Sequence, residues 1–234
     1  MARLCLCINP IARIRAIKKG RNPDPVTAAV AAEAAGIDGI VVYVDESGEI
    51  SDRDVRLLKE VVQTHLNIAV PAEEAMVRKA ITWAPDMVTL LPQSYTAGEE
   101  SLEEQTPILQ ELVEQLRDSN IVVAQLIRPD PSAIRNAARL QVDYVQLDTS
   151  LFSGIDDLGT MADIVEQFRS SAIAAGKLGL GVSAGRKLTA PIARELADAA
   201  ELIEEYNVGW AIVSRSVLVG LEKAIADFRK NIDR

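Results

Sequence analysis

Eight short, near-continuously apolar runs rich in β-branched residues punctuate the chain. They are Leu4–Ile8, Gly39–Val44, Leu66–Val70, Met87–Leu91, Ile121–Ile127, Tyr144–Leu147, Leu180–Val182 and Val208–Val213. Strands of a parallel sheet, buried on both faces, require runs of this kind. Between them the apolar positions recur at helical spacing. The segment Pro25–Glu33 opens on a proline after Asp24 and gives way to Gly36, the punctuation of a helix start and stop. Asp52–Gln63 carries Val55, Leu58, Val61 and Val62 on one side. Glu73–Trp83, Ser101–Arg117, Pro131–Leu140, Thr160–Lys177, Thr189–Leu202 and Ser216–Lys230 complete the series, with Ser216 as N-cap candidate of the last.

Eight strands alternating with eight helices predict an α/β fold, a (β/α)8 TIM barrel. An open doubly wound sheet suits about six such units. No Pro/Gly/Ser-rich linker interrupts the chain, so residues 1–234 read as a single domain. Two irregular stretches, Pro92–Glu100 and Ser150–Gly159, follow strands four and six and are lid candidates.

Composition narrows the function classes. The 234 residues hold 25 Lys and Arg against 34 Asp and Glu, a formal net charge of −9. A chain this acidic lacks the basic footprint of a nucleic-acid binder. No apolar run reaches membrane-spanning length, and MARLCLCINP is too short for a secretory signal. Cys5 and Cys7, two apart on one strand, cannot bridge each other, and the chain reads as cytoplasmic. The single histidine, His65, excludes any mechanism needing two imidazoles and any His-rich metal site. It precedes strand three, on the rim opposite the usual barrel chemistry, and reads as structural.

Barrel chemistry sits at the C-terminal strand ends. These offer Cys7 and Asn9, Tyr43 and Asp45, Asn67 and Ala69, Pro92 and Gln93, Gln125 and Arg128, Gln146 and Asp148, Ser183 and Arg186, and Asn207 and Trp210. Period-two alternation puts Tyr43 with Asp45, and Gln146 with Asp148, on common faces. The segment Val182-Ser183-Ala184-Gly185-Arg186-Lys187, with Asn207-Val208-Gly209-Trp210, has the makings of a phosphate site. Loops seven and eight of such barrels supply backbone N–H groups, and Arg186 and Lys187 add cations. Cys7 lacks a histidine base and reads as a small buried hydrophobe. Trp83 fills the helix layer. Trp210 either stacks on a planar ligand or fills the core.

Several segments resemble the pyridoxine 5′-phosphate synthase family. They are Asn22-Pro23-Asp24-Pro25-Val26, Ile50-Ser51-Asp52-Arg53-Asp54-Val55-Arg56, Asn67-Ile68, Pro129-Asp130-Pro131, Ser183-Ala184-Gly185 and Asn207 through Val217. The resemblance implies a barrel with extra helices, octameric assembly and no metal or organic cofactor. It also implies condensation of 1-deoxy-D-xylulose 5-phosphate with 3-amino-1-hydroxyacetone phosphate. The family's histidines and glutamates are replaced here. NIDH becomes Cys7-Ile8-Asn9-Pro10, VHLR becomes Val42-Tyr43-Val44-Asp45, and NLEMA becomes Asn67-Ile68-Ala69-Val70-Pro71. The next family histidine aligns near Glu49. EIHT becomes Gln146-Leu147-Asp148-Thr149, NAGHGL becomes Ser183-Ala184-Gly185-Arg186-Lys187-Leu188, and NIGHA becomes Asn207-Val208-Gly209-Trp210-Ala211. The family's phosphate-contacting arginine aligns with Lys18, and the strand-four lid lacks the TTEGG stretch.

Proton-transfer groups are thereby lost at Tyr43, Ala69 and Arg186 while the glycine-rich anion loops persist. A phenol, with a reference pKa of about 10, is a poor stand-in for imidazole. Three readings follow. One is a family barrel that binds a phosphorylated small molecule, such as a B6 vitamer, through Asn9, Lys18, Tyr43, Asp45, Gln146, Asp148, Ser183, Gly185, Arg186, Gly209 and Trp210, without the condensation. The second is altered chemistry on a phosphorylated substrate using Tyr43, Asp45, Asp148, Lys18 and Arg186. The third is survival of the family reaction on substitute residues. A homo-oligomer is expected in each, and a purely structural role in an assembly is a further alternative.

Overall fold

The computed structural model describes residues 2–45, 48–92, 107–155 and 157–233. Eight parallel strands close on themselves in chain order: β1 (Arg3–Cys7), β2 (Gly39–Tyr43), β3 (Leu66–Pro71), β4 (Met87–Leu91), β5 (Val122–Ile127), β6 (Tyr144–Asp148), β7 (Gly181–Gly185) and β8 (Glu205–Val208), with β8 paired to β1. The helices are α1 (Asn9–Ile17), α2 (Pro25–Ala34), α3 (Asp52–Val61), α4 (Glu74–Trp83), α5 (Pro107–Asp118), α6 (Pro131–Arg139), α7 (Leu158–Lys177), α8 (Ala190–Ala199), α9 (Trp210–Val219) and α10 (Leu221–Arg229). The expected (β/α)8 barrel is therefore the fold, and α1 and α2 both follow β1.

The main core lies between barrel and helices. Leu4, Leu6, Ile40, Val42, Ile68, Val70, Val88, Leu90, Val145, Leu147, Tyr206 and Val208 point outward into it. Their strand neighbours point inward, and many of these are small or polar: Cys5, Cys7, Ala69, Thr89, Gln146, Ser183, Glu205 and Asn207, all buried. Trp83 fills the helix layer as expected, 7% exposed.

Two sequence expectations are corrected. The apolar run Val208–Val213 is not a strand; β8 is Glu205–Val208, and the run continues as α9. A short apolar run does not distinguish strand from buried helix, and the true strand carries polar Glu205 and Asn207 because they face the polar interior. Ser216 caps nothing. It lies inside α9, its hydroxyl donating to the Val213 carbonyl at 2.7 Å, and Gly220 at φ 84° separates α9 from α10. The lid candidate Ser150–Gly159, of which residue 156 lies outside the described residues, begins in a 3-10 turn, Thr149–Phe152, whose Phe152 ring packs 5.3 Å from that of Phe168. The other lid candidate, Pro92–Glu100, lies outside the described residues from position 93 onward.

The Asp52–Arg56 segment earns its place through capping. Ser51 and Asp54 form a reciprocal capping box at the start of α3, and Arg15 of α1 grips both Asp54 oxygens at 2.9 and 2.8 Å. Arg15 also donates to the Glu49 carbonyl at 2.8 Å, tying the β2–α3 loop to α1. Burial pushes the Asp54 carboxyl upward, but the bonds from Arg15 and Ser51 outweigh it and hold the group at about 2. No helix among the described residues is long and apolar enough to cross a membrane.

Asp54→Asn is expected to lower unfolding stability by about 2 kcal/mol at pH 7. Because the folded-state pKa is depressed, that stabilisation is complete above the unfolded value near 4 and fades as pH falls toward 2. Denaturant titrations of wild type and variant should converge over that window. A difference unchanged between pH 7 and pH 2.5 would contradict the assignment.

Candidate functional site

The C-terminal ends of the strands form a mouth that divides into two halves. Over β3 to β5 the barrel beneath the rim is filled by apolar side chains: Ala69, Leu91 and Leu126 are buried at 1–2% exposure, with Tyr43 packed against them, and Arg128 is exposed just past the end of β5. Gln125 does not join them. It alternates with Leu126 and so shares the outward face of Val123 and Ile127, toward the helix layer. Over β7, β8, β1 and β2 the rim is accessible, with Asn9, Tyr43, Asp45, Arg186 and Gly209 half-buried and Lys187 and Trp210 exposed.

Asn9 closes the seam between β1 and β2. Its amide donates to the Tyr43 carbonyl and its carbonyl accepts from the Tyr43 N–H, both at 2.7 Å. The side chain thus extends the strand ladder one step beyond Ile8, whose N–H donates to the Val41 carbonyl. Both side-chain groups are engaged with backbone and hold Tyr43 at the rim. Cys7, beside it, is 8% exposed, and burial pushes its thiol up to about 12. It is no thiolate nucleophile.

Across the barrel, β6 and β7 are joined by charge. Arg186 Nη1 donates to Asp148 Oδ2 at 2.6 Å, and each side chain is 10% exposed. Asp148 Oδ1 accepts from the Ser150 N–H at 2.8 Å. The Thr149 hydroxyl sits 3.0 Å from the Gly185 carbonyl oxygen and 2.5 Å from that of Arg186. Thr149 was not singled out in the sequence; its only signal was a hydroxyl immediately after strand six. Arg186 and Lys187 both hold positive φ, 77° and 56°, so the chain turns sharply where β7 ends.

Gln146 and Ser183 lie below this level, buried at 1% and 4%. Gln146 accepts from the Asn207 amide at 3.2 Å inside the barrel. Gly185 leaves room for that pair: a Cβ there would stand 2.8 Å from Asn207 Cβ and 3.0 Å from Gln146 Nε2. Gly209 ends the β8 segment and starts α9 without a side-chain cap. The Ile212 and Val213 N–H groups bond to the Gly209 carbonyl, and those of Trp210 and Ala211 open the helix at the mouth. Trp210 is 52% exposed, so it does not fill the core. Lys18 is exposed at the far end of α1, roughly 13 Å along the helix axis from Asn9.

His65 lies at the opposite end of the barrel. Burial lowers its pKa, against the pull of nearby Glu205. Glu205, 1% exposed, pairs with Arg3 at 3.1 Å, and Arg3 stands 5.8 Å over the Tyr144 ring. Among the described residues, no group of three or more His, Cys, Asp or Glu is placed to hold a metal ion.

Asn9→Ala is expected to cost about 2 kcal/mol of stability, because both Tyr43 backbone groups lose their partner. Chemical denaturation checks this, with hydrogen exchange at the Tyr43 amide as local readout. Unchanged protection of that amide would contradict the clamp.

Residues 4–234 match the family described as "Pyridoxal phosphate biosynthesis protein PdxJ". The chain is 38% identical over 232 residues to the pyridoxine 5′-phosphate synthase of Geotalea uraniireducens (strain Rf4), covering 97% of each chain. The Synechococcus sp. (strain JA-2-3B'a(2-13)) protein of the same name is 38% identical over 239 residues, 98% of each. Among solved structures, an inhibitor complex of orotidine 5′-monophosphate decarboxylase from Methanocaldococcus jannaschii superposes with a TM-score of 0.64 at 13% identity, covering 100% of both chains. Phosphoribosylanthranilate isomerase from Thermotoga maritima gives 0.61 at 16% identity, covering 99% of this chain and 98% of its own. At such identities these structures share the barrel fold alone. The family match and the relatives run along nearly the whole sequence, and the chain belongs to the PdxJ family.

Proposed function

We propose that this chain is a pyridoxine 5′-phosphate synthase-like barrel that binds a phosphorylated small molecule between loops seven and eight and does not perform the family condensation. The observation that carries the second half is Ala69. Where the family resemblance places a strand-three glutamate, the side chain is a buried methyl packed with Leu91, Leu126 and Tyr43. A condensation with ring closure needs several proton transfers near neutral pH, and each general acid or base removed typically costs about 10²–10⁴ in rate. Tyr43 and Arg186 stand where the resemblance implies histidines, and the chain's one imidazole is at the other end of the barrel.

The first half rests on the α9 N-terminus. Its uncapped N–H groups, with the positive end of the helix dipole and exposed Lys187 at the neighbouring loop, supply what a phosphate requires. Trp210, half-exposed at that terminus, flanks the position the ligand takes. One observation favours a second reading, in which the reaction survives on substitute groups: the 38% identity to named synthases spans 97% of the chain. Assembly into a homo-oligomer completes the proposal. The exposed face of α9 with Val217 at 77% and Leu218 at 79% is apolar enough to be a subunit contact.

Expression in a strain lacking its own synthase should leave growth dependent on added vitamin B6; robust growth without it would establish the second reading. Titration with inorganic phosphate should change tryptophan emission in the wild type and not in Trp210→Phe. A silent wild type would remove the anion site from the proposal. Light scattering at micromolar concentration should give a multiple of 25.3 kDa, reduced by Val217→Asp with Leu218→Asp. A mass of 25.3 kDa for the wild type would refute assembly.

A further inference from the structure

We infer that Asp148 sets the charge this mouth accepts: it holds Arg186 as an internal counter-ion and so disfavours a phosphate ester carrying a second anionic group. The inference rests on the phosphate reading above and concerns the remainder of the ligand. Sequence alone makes Arg186 a free cation beside the anion loop. In the structure its guanidinium instead turns back across the β6–β7 seam to Asp148, 2.6 Å away, with both side chains 10% exposed.

The arrangement is built rather than incidental. Asp148 is fixed through its second oxygen by the Ser150 N–H, and Thr149 pins the loop that carries Arg186. A charge pair this close looks nearly neutral to a third group entering the mouth. The phosphate is then met by backbone donors, the helix terminus and Lys187. The rest of the ligand faces Tyr43, the rim above Ala69, Leu91 and Leu126, and the Asp148–Arg186 pair. A second carboxylate or phosphate there finds the Arg186 guanidinium already engaged by Asp148, and gives up its water without gaining that counter-ion. Such an unmatched charge is a standard means of rejecting a competing ligand. Neutral or cationic bodies carry no such penalty.

The test is calorimetric titration of the full chain with glycerol 3-phosphate and 3-phosphoglycerate, which differ by a hydroxymethyl group against a carboxylate, with inorganic phosphate as reference. Wild type is expected to bind glycerol 3-phosphate about tenfold or more tightly than 3-phosphoglycerate. Asp148→Asn releases Arg186 to the incoming carboxylate and should bring the two within about threefold, by tightening 3-phosphoglycerate. Thermal melts establish that the variant is folded. Should it not fold, Arg186→Met supplies the opposite sign: Asp148 is left unopposed and the wild-type preference widens. Equal affinities in the wild type, alongside measurable phosphate binding, would overturn the inference and leave the phosphate reading standing. A folded Asp148→Asn with an unchanged ratio would also overturn it. Absence of binding by all three probes would overturn both.

Discussion

Closure of the eight strands imposes the constraint from which the site follows. A closed parallel barrel has no edge, so every second side chain on every strand shares one narrow column. The outward residues are apolar apart from Gln125, and they anchor the helices. Many of the inward ones are small or polar, and two kinds of lid stand at the top of the column. Ala69, Leu91 and Leu126 seal one side with hydrocarbon. On the other, Asp148 and Arg186 seal the β6–β7 seam with charge. The arc from β7 through β8 and β1 to β2 holds Asn9, Tyr43, Asp45 and Lys187 within reach of solvent. That arc also holds the start of α9.

This geometry recasts the sequence motifs. The Asp52–Arg56 segment is explained by α3 capping and by Arg15, a role that requires no ligand. Gly185 is required by the Gln146–Asn207 pair beneath it, whether or not an anion sits above. Asn9 holds the backbone of Tyr43 in place of a further strand residue. Each keeps the barrel intact without supplying a proton-transfer group.

Periodicity revealed seven of the strands because their outward faces are apolar. It misplaced β8, whose inward Glu205 and Asn207 break the apolar run, and it took the first turn of α9 for sheet. Helix α1 escapes the periodicity although Pro10 marks its first turn. The mouth residues were legible as a set, since strand ends can be counted. Their pairing was not. That Arg186 would turn to Asp148 depends on the positive φ at β7's end and on Thr149, and neither is a property of composition or spacing. Likewise Gln125 looked like a mouth amide until the β5 register placed it on the outer face.

The central claim is that anion recognition and proton transfer have separated in this chain. The most direct test observes both in one sample, by phosphorus-31 NMR of 1-deoxy-D-xylulose 5-phosphate and 3-amino-1-hydroxyacetone phosphate with stoichiometric protein. The account predicts that at least one ester resonance shifts or broadens on adding protein. It also predicts that the two esters persist and no pyridoxine 5′-phosphate resonance develops. Accumulation of pyridoxine 5′-phosphate would contradict it.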